Sequence, residues 1–153
     1  MIIVPDLASV VAVRGDWHWE RYPFLDRGSY EIARGIDEPA LADIAVRAAS
    51  RAMNRELRFG EASALKLSPG DYFLAHHDRV YESFPIEVVF DLSPVEVPGA
   101  AMHYRRRGKV FFVFPSQPGA ASIVERGPTV TTNHTYVSKL QSGTVTRVVM
   151  LLW

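Results

Sequence analysis

The chain has 153 residues, 48% hydrophobic and 22% charged, and its 17 Lys and Arg residues balance its 17 Asp and Glu residues. This size and composition predict a single domain over residues 1–153. The charge balance argues against nucleic acid as a partner, and the lack of cysteine excludes disulfides, thiolate metal sites and a thiol nucleophile. Because no apolar run approaches the ~20 residues of a membrane span and the N-terminus does not resemble a signal peptide, we expect a cytoplasmic protein without a membrane partner.

One amphipathic helix is predicted within the first 60 residues. Asp37, Glu38 and Pro39 form a typical helix start. Apolar residues then recur at near-helical spacing and predict one buried stripe, made of Leu41, Ile44, Ala45, Ala48 and Ala52. We therefore expect residues 1–60 to form an N-terminal helical region that supports a larger core.

From residue 61 onward the pattern changes to short β-type runs separated by turns that contain Gly or Pro. Eight short strands at this spacing are typical of a sandwich or barrel. We predict them at Ser63–Leu67, Tyr72–Ala75, Ile86–Leu92, Ala100–Tyr104, Lys109–Phe114, Ala121–Glu125, His134–Leu140 and Val145–Trp153. The expected fold class is mostly β (α+β), with a jelly-roll core over residues 61–153.

A His-x-Asp motif follows the second of these strands. Alternate residues of an extended segment share a face, so His76 and Asp78 can chelate one metal ion, whereas His77 points the other way. His134 stands 56 residues after Asp78, at the start of a predicted strand. Two histidines and one carboxylate form the facial triad of non-haem Fe(II) oxygenases. The alternative for His134 is a satisfied core histidine.

The last predicted strand carries one charged residue in an apolar run. Arg147 shares a strand face with Val145, Val149 and Leu151. A buried guanidinium is costly unless a carboxylate or comparable hydrogen bonds pair with it, and its planar fork suits bidentate capture of a carboxylate. The pattern therefore predicts a specific partner for Arg147.

The order of these motifs resembles the Fe(II)/2-oxoglutarate-dependent dioxygenases, most of all the prolyl 4-hydroxylase-like branch. The resemblance covers about residues 61–153 and rests on Pro69-Gly70-Asp71-Tyr72, His76-x-Asp78, His134, Gly143-x-x-x-Arg147 and the terminal Trp153. It implies a double-stranded β-helix core in which His76, Asp78 and His134 are the catalytic iron ligands and Arg147 binds the distal carboxylate of 2-oxoglutarate. Because His134 and Arg147 are 13 residues apart, Lys139 is the alternative carboxylate partner.

The resemblance also implies a reaction. Such an enzyme uses Fe(II), 2-oxoglutarate and O2 to hydroxylate an unactivated C–H bond of a small molecule, an amino acid or a peptide side chain, and it releases succinate and CO2. Desaturation or cyclisation would begin at the same C–H bond. Two other functions stay open at this point: a cupin-like metalloprotein that does not use 2-oxoglutarate, and a non-catalytic β-sandwich binding module. A chain this short is also compatible with a homo-oligomer that completes the pocket.

Overall fold

The computed structural model describes residues 1–76 and 79–153, with only the backbone for His76. The elements of this part of the chain are β1 (Ile2–Val4), a 3₁₀ helix (Leu7–Val10), β2 (Glu20–Arg21), β3 (Gly28–Ser29), β4 (Glu31–Arg34), α1 (Pro39–Met53), β5 (Phe59–Leu67), β6 (Tyr72–His76), α2 (Val80–Ser83), β7 (Ile86–Asp91), β8 (Ala101–Arg106), β9 (Lys109–Pro115), β10 (Ala121–Glu125), β11 (Val130–His134) and β12 (Val145–Leu152). Neither helix there is long and apolar enough to cross a membrane.

The strands form two antiparallel sheets. The larger sheet has the order β1-β10-β7-β12-β5-β4-β2, and the smaller sheet has the order β3-β6-β11-β8-β9. From β5 onward the chain passes back and forth between the sheets, so that β5, β7, β10 and β12 lie in one and β6, β8, β9 and β11 in the other. This is the double-stranded β-helix, or jelly roll, that the sequence predicts, and the expected fold class is confirmed.

The larger sheet separates two apolar layers. Strand β7 shows the alternation, because Ile86, Val88 and Phe90 pack in the layer against α1 whereas Val89 packs between the sheets. Strand β12 alternates in the same way, with Val148 among the residues that pack toward α1. The residues of β7 and β12 that alternate with these face the space between the sheets, where the candidate site lies.

The predicted helix is present as α1, with Pro39 in its first turn. Its buried residues are Leu41, Ile44, Ala45 and Ala49. The predicted stripe included Ala52, which is exposed. Ala52 is eleven residues, or about three turns, from Leu41 and therefore lies on the same side of the helix, but it belongs to the last turn of α1, which ends at Met53.

The region before residue 60 contains more than the predicted helix. Strands β1, β2 and β4 extend the larger sheet, and β3 joins the smaller one beside β6. These strands have two to four residues, which is too short for an alternating pattern to stand out in the sequence.

The seventh predicted strand is displaced. It was expected at His134–Leu140, but β11 covers Val130–His134, so His134 ends the strand instead of beginning it. The chain then leaves the sheet, and the Val137 backbone exchanges hydrogen bonds with Asp71 and Gly70. Alternation also continues backward from His134, since Val130, Thr132 and His134 are buried while the residues between them are half-exposed.

Candidate functional site

The first half of the predicted metal motif lies at the end of β6. This strand ends at His76 and runs between β3 and β11. Asp78, like His77, lies outside the described residues. Among residues 1–76 and 79–153, no group of three or more His, Cys, Asp or Glu side chains could hold a metal ion. The predicted triad therefore depends on Asp78 and on the imidazole of His76.

A partly open cavity of about 230 Å³ borders this end of β6. Thr132, which is the register partner of His76 on β11, lines the cavity, and so does Val80, two residues after Asp78. Most of the wall is apolar, and its polar members are Glu61, Ser63, Glu87, Arg126 and Thr132. The volume lies below the ~300–1,000 Å³ of drug-sized pockets.

The register between β6 and β11 sets the positions of the two predicted histidine ligands. Thr132 pairs with His76 and His134 pairs with Phe73, so two steps on β11 oppose three on β6. His134 therefore lies about 7 Å further along its strand than the residue that faces His76. Thr132 and His134 are two residues apart on β11 and are both buried, so they share the inward side of the sheet.

The imidazole of His134 is held in one neutral form. The ring is 1% exposed, and its Nδ1–H donates to the Thr135 carbonyl at 2.8 Å. Burial and the nearby charge of Arg147 lower the pKa of His134 to about 3. Its Nε2 finds no hydrogen-bond partner among the described residues. An unprotonated, buried and unpartnered imidazole nitrogen fits a metal ligand.

Arg147 has a specific partner, as its position in the apolar strand predicts, and that partner is Asp91. The guanidinium is 0% exposed, and its Nη1 lies 3.3 Å from Asp91 Oδ2. The same group donates to the backbone carbonyls of Pro115 and Phe114 at 3.3 and 3.4 Å. Burial lowers the pKa of Arg147, and Asp91 acts against that shift. Lys139, the alternative, is exposed and its side chain runs beside Gly70.

A second buried ionic cluster was missed by sequence analysis. Arg126 Nη1 lies 3.3 Å from Glu87 Oε2, and the Tyr104 hydroxyl donates to Glu87 Oε1 at 2.7 Å. Burial and the neighbouring Glu87 raise the pKa of Tyr104 well above its ordinary value. Glu87 and Asp91 are charged residues in an otherwise apolar strand, the same signal that singled out Arg147. Arg126 could not be found in this way, because it lies just after the end of β10 and not within an apolar strand.

No protein-family model matches the chain, and no curated protein matches it in sequence. Solved structures do share its fold. An oxidoreductase of the 2OG-Fe(II) oxygenase family from Burkholderia pseudomallei superposes with a TM-score of 0.75 at 13% identity, covering 99% of this chain and 84% of that one. The viral collagen prolyl hydroxylase of Paramecium Bursaria Chlorella virus-1 superposes with a TM-score of 0.61 at 12% identity, covering 82% of this chain and 79% of that one. A prolyl-4-hydroxylase from Pseudomonas putida superposes with a TM-score of 0.57 at 13% identity, covering 87% of this chain and 76% of that one.

These structures define the fold class. The chain has the double-stranded β-helix of the 2OG-Fe(II) oxygenases, including prolyl hydroxylases, and the resemblance found in the sequence is confirmed at the level of fold. Such a fold supports many functions, so the activity has to be argued from the site.

Proposed function

We propose that this protein is an Fe(II)- and 2-oxoglutarate-dependent oxygenase. The observation that carries the proposal is the position of His76, because β6 brings its backbone opposite Thr132, which lines a cavity between the sheets. The fold shared with 2OG-Fe(II) oxygenases supports this class over the cupin-like and non-catalytic alternatives. The reaction we propose is hydroxylation of a C–H bond in a small molecule, an amino acid or a peptide side chain.

His76, Asp78 and His134 would hold the iron in this proposal. Bound iron would supply the activation of O2, coupled to conversion of 2-oxoglutarate to succinate and CO2. The carbonyl of Thr135 keeps the proton of His134 on Nδ1, so that Nε2 stays free to coordinate. The ring of Phe73 packs beside that of His134, with 5.9 Å between centroids, which shields the imidazole from water.

Arg147 is the proposed partner of the distal 2-oxoglutarate carboxylate. Asp91 and two backbone carbonyls already occupy its Nη1 and Nη2 atoms. Its Nε has no acceptor in the part of the chain that the structure describes. Of the five N–H groups of the guanidinium, the Nε–H and one N–H of Nη2 therefore remain for a carboxylate, which would share the guanidinium with Asp91.

The proposal is tested by the visible spectrum of the anaerobic protein. Fe(II) is added to the metal-free chain, and 2-oxoglutarate is then titrated. We expect a weak charge-transfer band that needs both additions, because a keto acid that chelates an open iron site gives such a band. His134→Ala should abolish the band, and Arg147→Ala should require far more 2-oxoglutarate.

Thr132→Val is the matched control for His134→Ala, because Thr132 also points inward from β11 and carries no metal-binding nitrogen. It should retain the band. Metal binding without a band would instead support the cupin-like function. If no metal binds at all, the oxygenase proposal is wrong.

A further inference from the structure

The two sheets of the described chain have four outer strands, and β9 differs from the other three. Strands β1 and β2 bound the larger sheet, and β3 and β9 bound the smaller one. The first three have three, two and two residues, whereas β9 has seven. Within residues 1–76 and 79–153 no strand pairs with the outer edge of β9. An open edge exposes backbone N–H and C=O groups to which another strand can bind.

The residues of β9 leave this edge unprotected. Edge strands are usually kept apart from other chains by charged side chains, by Pro or by short length. In β9 such residues stand only at the two ends, as Lys109 and Pro115, and the five residues between them are all apolar. Val110 is 41% exposed and Val113 is 40% exposed. The pattern is therefore that of a strand with a neighbour on both sides.

The two ends of β9 carry opposite charges. The turn before the strand is basic and exposed, with Arg107 at its tip. At the other end, the Val97 N–H donates to Ser116 Oγ at 2.8 Å, which brings the exposed Glu96 close to the residue that follows β9. Neither Arg107 nor Glu96 belongs to an ion pair in the part of the chain that the structure describes. Each is therefore available to an opposite charge on another molecule.

We propose that β9 pairs with β9 of a second copy of this chain, antiparallel and about a two-fold axis near Phe112. In this register Lys109 of each copy lies opposite Pro115 of the other copy, so the full length of both strands is paired. The basic turn of each copy then lies beside Glu96 of the other. A parallel pairing would instead bring the two basic turns together.

A second copy is the partner that this edge fits because the edge is complementary to itself. Its apolar centre meets an identical apolar centre, and its basic end meets an acidic end. A two-fold contact uses the open edge of both copies, so the assembly closes as a dimer. The proposal is independent of the proposed function, because its test needs neither iron nor 2-oxoglutarate.

The test is the oligomeric state of the metal-free chain, measured by sedimentation equilibrium between about 1 and 100 µM. We expect a dimer. Val113→Lys should weaken self-association about tenfold or more, because it places a charge in the middle of the paired edge. Val113 is 40% exposed, so the variant should fold. Val10→Lys is the matched control, since Val10 is 75% exposed on the 3₁₀ helix, away from β9, and it should dimerise like the unaltered chain.

Charge reversal tests the antiparallel register. Arg107→Glu and Glu96→Arg should each weaken the dimer about threefold or more, because the two-fold axis repeats the contact at both ends. The chain that carries both changes should regain the original affinity, since opposite charges meet again.

Three results would overturn the proposal. The unaltered chain would sediment as a monomer throughout, its dimer would survive Val113→Lys unchanged and so use another surface, or it would form open-ended assemblies instead of a closed dimer. Failure of the double reversal to restore what the single reversals weaken would contradict the antiparallel register.

Discussion

Asp91 and Arg147 form an ion pair that is fully enclosed between the two sheets, with 3.3 Å between Oδ2 and Nη1 and no exposed surface on either side chain. Asp91 also accepts the backbone N–H groups of Ser93 at 2.9 Å and Gln117 at 2.6 Å. The pair therefore joins the end of β7, the start of β12 and the chain before β10. Removing one member of such a pair leaves an uncompensated buried charge.

Asp91→Asn should lower the free energy of unfolding by about 3–5 kcal/mol, measured by urea denaturation. The matched control is Asp43→Asn, which breaks an exposed pair with Arg47 at 3.1 Å on α1. That change should cost about 0.5 kcal/mol or less. Equal losses for the two variants would contradict the structural role given to Asp91.

The unfolding free energy of the metal-free protein should fall as the pH is lowered from about 6.5 to about 3. Burial and Arg147 hold the pKa of His134 at about 3 in the folded chain, whereas an unfolded histidine titrates near ~6.5. Within this window the unfolded state binds a proton that the folded state does not. The free energy of unfolding therefore falls by up to about 1.4 kcal/mol for each pH unit.

Urea denaturation across that window checks the pH dependence. His134→Gln should reduce the slope, and the exposed His18→Gln should retain it. An unchanged slope in His134→Gln would mean that other groups account for the acid sensitivity.

Gly28→Ala should destabilise the protein by about 1–3 kcal/mol, the usual cost of overpacking. A Cβ at Gly28 would lie 2.7 Å from the Tyr72 carbonyl oxygen and 2.9 Å from Phe73 Cα, both on β6. Because backbone atoms cannot rotate away, β3 would have to shift from β6. Gly127→Ala is the control, since its Cβ would have no neighbour within 4 Å. Thermal unfolding of both variants tests this, and equal stabilities would contradict it.

Tyr104→Phe should lower the free energy of unfolding by about 1.5–3 kcal/mol, the net contribution of a hydrogen bond to a charged group. The lost hydroxyl donates to Glu87 at 2.7 Å between the two sheets, and the carboxylate would keep the guanidinium of Arg126 as a donor. Tyr136→Phe, at an exposed position, should be near neutral. Urea denaturation distinguishes the two, and a neutral Tyr104→Phe would show that Glu87 does not depend on the phenol.

The long elements were predictable from the sequence because their side chains follow one period. The helix α1 begins at Pro39 as its start signal predicts, and the two faces of β12 alternate as read, with Val148 toward α1 and Arg147 toward the other sheet. The register of β11 was not predictable. Its polar, Thr-rich run has few apolar positions to mark its ends, and His134 was placed at the wrong end of the strand.

The sequence by itself determined that Arg147 needs a specific partner, because a guanidinium inside an apolar β-strand must be compensated wherever the strand is buried. The sequence also contains the His-x-Asp spacing, which predicts two metal-binding side chains on one face of an extended segment. The tertiary structure alone decided that Asp91 is the partner of Arg147, that Thr132 faces His76, and that Arg126 meets Glu87 at the cavity. These pairings depend on how the strands are ordered and aligned across two sheets, and that alignment is set by the packing of the whole core rather than by any local pattern.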